Sequence, residues 1–537
     1  MPGWNFADAF EVIADCLPDA TAQINGRRQF TWAEFDRRAD GVATVLLASG
    51  LDRQGKVAQY LYNGPEYLES MLAAFKISLV PVNTNYRYRD DELVYLWTNA
   101  EVSAVVFDGS FTAQVEGIRA RLRGVRVWLW VDDGSCDCPG WAIPYEEAAA
   151  SAVRRPQPRW SRDGDDLNLL YTGGTTGAPR GVMWRQDDLF CSLNGTSARR
   201  YGPEPDFERI RELSTGPGIV ALPAAPLMHG TGCFTSLGAL SAGGSVVTLE
   251  ARSFDPVEFL DTVERERVNA VAWVGDAFAK PVLMLLDGQP DRWDISSLTT
   301  ITSSGVTWSE STKRGLLRHH PHMRLVDVYS SSEALGLGAS LSTGDGSTGT
   351  SRFTLGERAR VIDEDGNDIA PGSGAIGRMA VRGRIPLGYY NDPQKTAATI
   401  VVIDGDRYSI PGDFARVEDD GTVTLLGRGS MCINTGGEKV FPEEVEEVLK
   451  QHVDIVDAAV IGVPHERFGE AVVAIVELSE GCSLYEPDVI AHVKNHLAAY
   501  KAPKQVIRID SIGRGPNGKI DYARLREQAI NFVEVTR

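Results

Sequence analysis

At 537 residues the chain is too long for one compact core, because single cores stop growing near ~250–300 residues, so two or three folding units are expected. A net charge of −19, from 54 Lys and Arg against 73 Asp and Glu, excludes unspecific binding to nucleic acid or anionic membranes. The 43% apolar and 24% charged fractions are those of an ordinary globular protein, and no segment offers the ~18 uncharged apolar residues of a membrane span.

The opening residues 1–8 lack the basic start and apolar core of a secretory leader. Residues 30–48 read as a capped helix, in which Thr31 and Glu34 have capping-box spacing. Residues 57–61 and 104–107 read as short strands, the second stopped at Asp108-Gly109. Alternating helices and buried strands imply an α/β fold with mainly parallel sheets. Residues 154–166 read as a polar surface connector, and the apolar run 167–171 follows. The candidate span at 269–286 is broken by Asp276, Lys280 and Pro281. Residues 340–351 are Gly/Ser/Thr-rich and read as a loose stretch. Residues 414–426 read as a hairpin turning at Asp420-Gly421. Pro442 then opens a helix with Glu443 and Glu444 in its first turn, opposite the positive end of the helix dipole. The division is expected near Arg428, giving a large domain of several subdomains at 1–427 and a small, mobile α/β domain at 428–537. Seven scattered cysteines read as free thiols of a reducing cytoplasm. The pair Cys136 and Cys138 finds no second pair or histidine cluster to complete a zinc pattern.

Four motifs carry chemistry. Tyr171-Thr172-Gly173-Gly174-Thr175-Thr176-Gly177-Ala178-Pro179-Arg180-Gly181 follows a strand and ends in a cation. Its glycines let backbone N–H groups approach phosphate oxygens, and its hydroxyls add donors. It lacks the Gly-Lys-Ser/Thr ending of a P-loop. Asp327-Val328-Tyr329-Ser330-Ser331-Ser332-Glu333 would, taken alone, be a helix-capping segment. Pro411-Gly412-Asp413 with Gly427-Arg428 would be a turn, and Pro516-Asn517-Gly518-Lys519 a surface loop.

Together and in this order they resemble the adenylate-forming superfamily of acyl-CoA synthetases, luciferases and adenylation domains, over nearly the whole chain. The wording of Gly181-Val182-Met183-Trp184-Arg185 and Gly429-Ser430 looks like actinobacterial synthetases acting on fatty and steroid-side-chain acids. The resemblance implies that Thr172, Gly173, Gly174, Thr175, Thr176 and Gly177 cradle the phosphates of ATP with Arg180, which stands where the family usually has lysine. It implies that Asp327, Val328, Tyr329, Ser330 and Ser332 hold adenine, helped by Ser304, Gly305 and Val306, and that Glu333 binds Mg²⁺. Asp413 and Arg428 would take the ribose and begin a hinge, while Lys519 would be the catalytic lysine. His229, Gly230 and Asp276 would shape the acyl pocket, and Thr435, Gly436 and Gly437 a tunnel for the thiol of coenzyme A.

The activity so implied joins a carboxylic acid, fatty or sterol-derived, to coenzyme A through an acyl-adenylate. Loading of a carrier protein, luciferase-type oxygen chemistry and a non-catalytic nucleotide-binding regulator stay open as alternatives. A cytoplasmic enzyme is expected, and a homodimer stays open.

Overall fold

The computed structural model describes residues 3–535 apart from 174–177, 196, 198, 307, 348–351, 429–430, 436–437, 466–468, 484 and 516–517. They form two compact units: residues 1–350 with 381–409, and residues 351–380 with 410–537. The strands around Asp413 and Arg428 thus group with the carboxy-terminal residues, upstream of the division expected at Arg428.

The first unit holds two sheets whose interiors are parallel. One runs in the order Arg28–Thr31, Thr21–Asn25, Ser245–Thr248, Val220–Pro223, Ala270–Trp273, Thr300–Ser304, Arg324–Ser331, Ala334–Thr343. The other has Gly388–Tyr389, Arg180–Arg185, Leu167–Thr172, Val80–Asn83, Lys56–Tyr60, Val102–Asp108, Val127–Val131 and Ile143–Pro144. Parallel strands are buried on both faces, so they read as apolar runs and divide their residues by parity. Ala104, Val106 and Leu170 enter a core between the sheets, whereas Val105, Phe107, Leu169 and Tyr171 enter a second core on the opposite face. Helices Phe6–Cys16, Trp32–Ala48, Pro65–Lys76 and Gly230–Ser241 fill the space between the sheets. Helices Pro256–Arg265, Asp276–Gly288 and Glu310–His319 cover the outer face of the first sheet.

The expected helix begins at Trp32 with Thr31 as its cap, and Thr31 and Glu34 make both bonds of the box. The connector at 154–166 is irregular but not merely a surface strap. Arg162 pairs with Asp8 and Glu11, Arg155 with Asp15 and Asp36, and Asp166, nearly fully buried, with Arg53. Of the stretch expected to be loose at 340–351, the described residues are instead the end of strand Ala334–Thr343, which turns back into Gly346–Ser347, while 348–351 lie outside the described residues.

In the second unit the expected hairpin forms from Asp413–Val417 and Val423–Arg428. Strands Glu438–Val440, Ile433–Thr435, Gly469–Leu478, Ile455–His465 and Gln505–Ile509 make a separate sheet. Helices Pro442–Leu449 and Glu486–His496 cover one face through Val445, Leu449, Val489 and Val493, and helix Tyr522–Val535 covers the other through Leu525 and Ala529. Alternation again sorts the strand: Ala458 and Val460 face the first pair, Ala459 and Ile461 the last helix. Among the described residues no helix is long and apolar enough to cross a membrane.

Candidate active site

Four successive parallel strands of the first sheet end on one edge, and each is followed by residues singled out in the sequence. After Val220–Pro223 come Met228 and His229, and after Ala270–Trp273 come Gly275 and Asp276. After Thr300–Ser304 come Gly305 and Val306, and after Arg324–Ser331 come Ser332 and Glu333. The carboxyl edge of a parallel sheet is where open α/β folds bind ligands, because the loops there are released from the ladder while the strands fix their roots.

Several local bonds shape this edge. Gly275 has a φ of 55° and donates its N–H to Ser303 Oγ at 2.9 Å. Asp276 accepts from Ser309 N and Oγ at 3.2 and 3.0 Å and lies 3.4 Å from Lys280. Gly305 is left-handed at φ 98°, a conformation that suits glycine, and a Cβ there would touch only Val274, at 3.8 Å. His229 caps helix Gly230–Ser241, half-buried, and a Cβ on Gly230 would meet Leu170 and Phe234 at 3.4 and 3.5 Å. Asn83, buried, donates to the carbonyls of Tyr171 and Met228 at 2.8 and 2.7 Å and accepts from Tyr171 N at 2.6 Å. It thereby ties the root of the Gly/Thr loop to the segment carrying His229.

The serine run does not cap a helix. Asp327, Val328, Tyr329 and Ser330 lie within strand Arg324–Ser331, and Ser332 and Glu333 form the turn into Ala334–Thr343. The reason lies in pairing: the following ten residues supply a full antiparallel partner, and a ladder outcompetes a local cap. Three donors converge on the turn. Trp184 Nε1 reaches the Ser332 carbonyl at 2.9 Å, Ser409 Oγ the Glu333 carbonyl at 2.6 Å, and Tyr389 Oη the Glu333 carboxylate at 2.7 Å. Asp327 accepts from Lys313 at 2.7 Å, both side chains being buried. None of Lys313, Trp184, Tyr389 and Ser409 was given a role in the sequence.

Thr172 ends strand Leu167–Thr172 and sits opposite Arg180, which begins Arg180–Arg185. Thus the residues that flank the loop, Thr172 and Arg180, belong to one antiparallel pair. Gly173 is described, while Gly174, Thr175, Thr176 and Gly177 lie outside the described residues. Arg180 Nε donates to Asp392 Oδ2 at 2.9 Å. A backbone bond from Lys395, and then Arg180, hold the Asp392 carboxyl below its usual range.

In the second unit Asp413 is buried at the start of its strand, opposite Arg428, whose side chain lies outside the described residues. Thr435 ends Ile433–Thr435, and Gly436 and Gly437 also lie outside. Lys519 is exposed, and its carbonyl accepts from Gly515 N at 2.9 Å. Arg514 holds this turn by donating to the Gly518 carbonyl at 2.8 Å and to both oxygens of Asp457 at 2.6 and 2.8 Å.

The donor set suits a divalent cation that brings its other ligands with it. Glu333 is a single carboxylate, and Mg²⁺ binds through one or two carboxylates when phosphates complete its shell. The only cluster of three carboxylates among the described residues, Glu11, Asp36 and Asp40, closes on the Lys76 ammonium at 2.9, 2.6 and 2.7 Å. That cluster is an internal ion pair network.

Comparison with known proteins gives the family of the chain. Residues 10–390 match the family described as AMP-binding enzyme, and residues 444–519 match the AMP-binding enzyme C-terminal domain. The chain is 39% identical over 531 residues to a medium/long-chain-fatty-acid–CoA/3-oxocholest-4-en-26-oate–CoA ligase of Mycolicibacterium smegmatis, covering 96% of this chain and 95% of that protein. It is 39% identical over 535 residues to a 3-oxocholest-4-en-26-oate–CoA ligase of Rhodococcus rhodochrous, covering 98% and 96%. The crystal structure of ATP-bound MatB from Rhodopseudomonas palustris, 28% identical, matches with a TM-score of 0.80 over 98% of this chain and 100% of that one.

Proposed function

This chain belongs to the AMP-binding enzyme family, and on that premise we propose that it is an ATP-dependent ligase joining a medium- to long-chain fatty or steroid-side-chain acid to coenzyme A. The observation that carries the reading is the tie between the two sheets, where Asn83 joins the phosphate-loop root at Tyr171 to the His229 segment at Met228 and Trp184 joins the strand after the loop to the turn that holds the braced carboxylate of Glu333. The Ser331 hydroxyl beside that turn is buried without a hydrogen-bond partner, a group that a bound nucleotide would satisfy. The relatives named for fatty and steroid acids support the acid class. Gly230 and Gly305 support a bulky acyl chain, since neither presents a side chain to the edge.

In the first half-reaction a carboxylate oxygen of the acid attacks the α-phosphorus of ATP, and pyrophosphate leaves. Two anions must meet, so the work of this chain is to hold cations where charge develops. Arg180 and the backbone of the loop at 172–177 would take the departing pyrophosphate. Lys519 would bridge the carboxylate and the α-phosphate. Asp413 suits the two ribose hydroxyls, because a carboxylate accepts from adjacent donors. Glu333 would hold Mg²⁺, which when bound neutralises phosphate charge. In the second half-reaction the thiol attacks the acyl carbonyl and AMP leaves. We place the hinge between these steps at Arg428 and the thiol tunnel at Thr435, Gly436 and Gly437. ATP, coenzyme A and seven free cysteines fit a reducing cytoplasm.

The test is pyrophosphate release from Mg-ATP with acetate, graded fatty acids, aryl acids and steroid-side-chain acids, each with and without coenzyme A. Turnover that needs coenzyme A and peaks with fatty or steroid acids is expected. Release indifferent to coenzyme A would transfer the reading to carrier-protein loading, and no release with any acid would sink it.

A further inference from the structure

One short segment touches two charged groups of the proposed site. Residues 387–390 lie along the edge of Arg180–Arg185: Leu387 N donates to Met183 O and Tyr390 N to Gly181 O, both at 2.8 Å. The strand's alternation sends Tyr389 inward, almost fully buried, where its hydroxyl meets the Glu333 carboxylate. Tyr390 turns to the opposite face and bonds Glu101 at 2.7 Å. Asn391, left-handed at φ 54°, then reverses the chain so that Asp392 stands beside Arg180. Asp392 divides its oxygens: Oδ1 accepts the Lys395 N–H at 2.9 Å, capping helix Pro393–Thr399, and Oδ2 accepts Arg180 Nε at 2.9 Å.

We propose that Tyr389 and Asp392 are positioning residues, one brace that sets the metal-binding carboxylate of Glu333 and the pyrophosphate-side cation of Arg180 at a fixed spacing. The proposal rests on the ligase reading for the identity of the ligands. Its physical content is local. A tyrosine hydroxyl that donates to one carboxylate oxygen limits the rotation of the group about its stem. A carboxylate that takes Arg180 through Nε leaves the Nη end of the fork to meet phosphate. Arginine can do both at once because its donors are spread over a planar fork, whereas a lysine has a single nitrogen to divide between Asp392 and phosphate. The arginine at this position, where the family usually has lysine, is therefore matched to Asp392.

The variants Tyr389→Phe and Asp392→Asn keep ring packing and helix capping, since asparagine caps as well as aspartate. ATP binding is read by calorimetry across a Mg²⁺ titration, without acid and without turnover, and pyrophosphate binding is read in the same way. Tyr389→Phe should raise the Mg²⁺ needed for half-maximal ATP binding about tenfold, as loss of an outer-shell partner does, and leave pyrophosphate affinity at fixed Mg²⁺ saturation unchanged. Asp392→Asn should weaken pyrophosphate about tenfold, the lower end for a lost charge-assisted bond, and leave the Mg²⁺ midpoint in place. In a Glu333→Gln background Tyr389→Phe should add almost nothing. Equal effects of both variants on both readings, no effect on either, tighter pyrophosphate binding in Asp392→Asn, or an undiminished Tyr389→Phe effect beside Glu333→Gln would overturn the brace. Because these readings need no acid, a wild type that binds Mg-ATP but activates nothing would defeat the ligase reading while the brace is still decided.

Discussion

Lys519 is exposed, yet the residue before it is held, because the Arg514 guanidinium is fixed by Asp457 and in turn fixes the Gly518 carbonyl. A long flexible ammonium next to a held carbonyl suits a cation that must be delivered to one step and withdrawn from the next. Lys519→Ala is therefore expected to slow acyl-adenylate formation by roughly 10²–10³, the scale of one preorganised electrostatic contact. Thioester formation from supplied acyl-AMP should be largely spared. Single-turnover assays of the two half-reactions check this, and equal loss in both would remove Lys519 from its role. Lys519, Glu333 and Arg180 could be singled out in the sequence because each sits in a short motif whose neighbours announce it. Their supports could not, because a motif holds no record of partners far along the chain. Tyr389 is 56 residues from Glu333 and Asp392 is 212 residues from Arg180. Only the fold brings them together.

At the scale of elements, local signals were read where the physics is local. The box at Thr31 and Glu34 and the turn at Asp420-Gly421 each lie within a few residues of the structure they create. The serine run, which taken alone would cap a helix, lies in a strand because capping and strand pairing compete for the same residues and the partner strand Ala334–Thr343 decides between them. The helix Gly230–Ser241 shows how an element can be tuned by one missing side chain. Gly232 approaches the turn before it so closely that a Cβ would lie 2.5 Å from the Pro226 carbonyl and 2.7 Å from that of Ala225. Both contacts are backbone, so Gly232→Ala must move residues 225–229, the segment that carries His229 and is tied to Asn83. The expected cost is about 1–3 kcal/mol of stability from overpacking. The sharper expectation is kinetic: the KM for the acid should rise severalfold while that for ATP stays near wild type. A parallel rise in both would mean that the helix end does not line the acyl side.

Across the first unit, cohesion depends on a buried charge cluster as well as on apolar layers. The Lys76 ammonium, fully buried, joins Glu11 of the first helix to Asp36 and Asp40 of the second, and Arg155 and Arg162 bring in the connector at 154–166. Burial alone would lower the Lys76 pKa, but its three carboxylates outweigh burial and raise it. Burial pushes Asp40 up to about 6, while Glu11, which burial would raise, is held at about 2 by Arg162 and Lys76. The signs follow by linkage. Glu11 contributes stability above its unfolded value, lost as pH falls through about 2. The elevated Asp40 contributes most below its unfolded value and loses that contribution as pH rises through about 6, and Lys76 gives up its share only above its ordinary alkaline value. Lys76→Met removes the cation and leaves three carboxylates facing one another, at a cost of about 3–5 kcal/mol for a broken buried pair. Protonation then relieves the repulsion, so the deficit relative to wild type should shrink near pH ~5 and widen toward pH ~8. Thermal denaturation of both proteins across that range decides it: a deficit independent of pH would mean that the carboxylates are already neutral or solvated, and that the helices are held by packing alone.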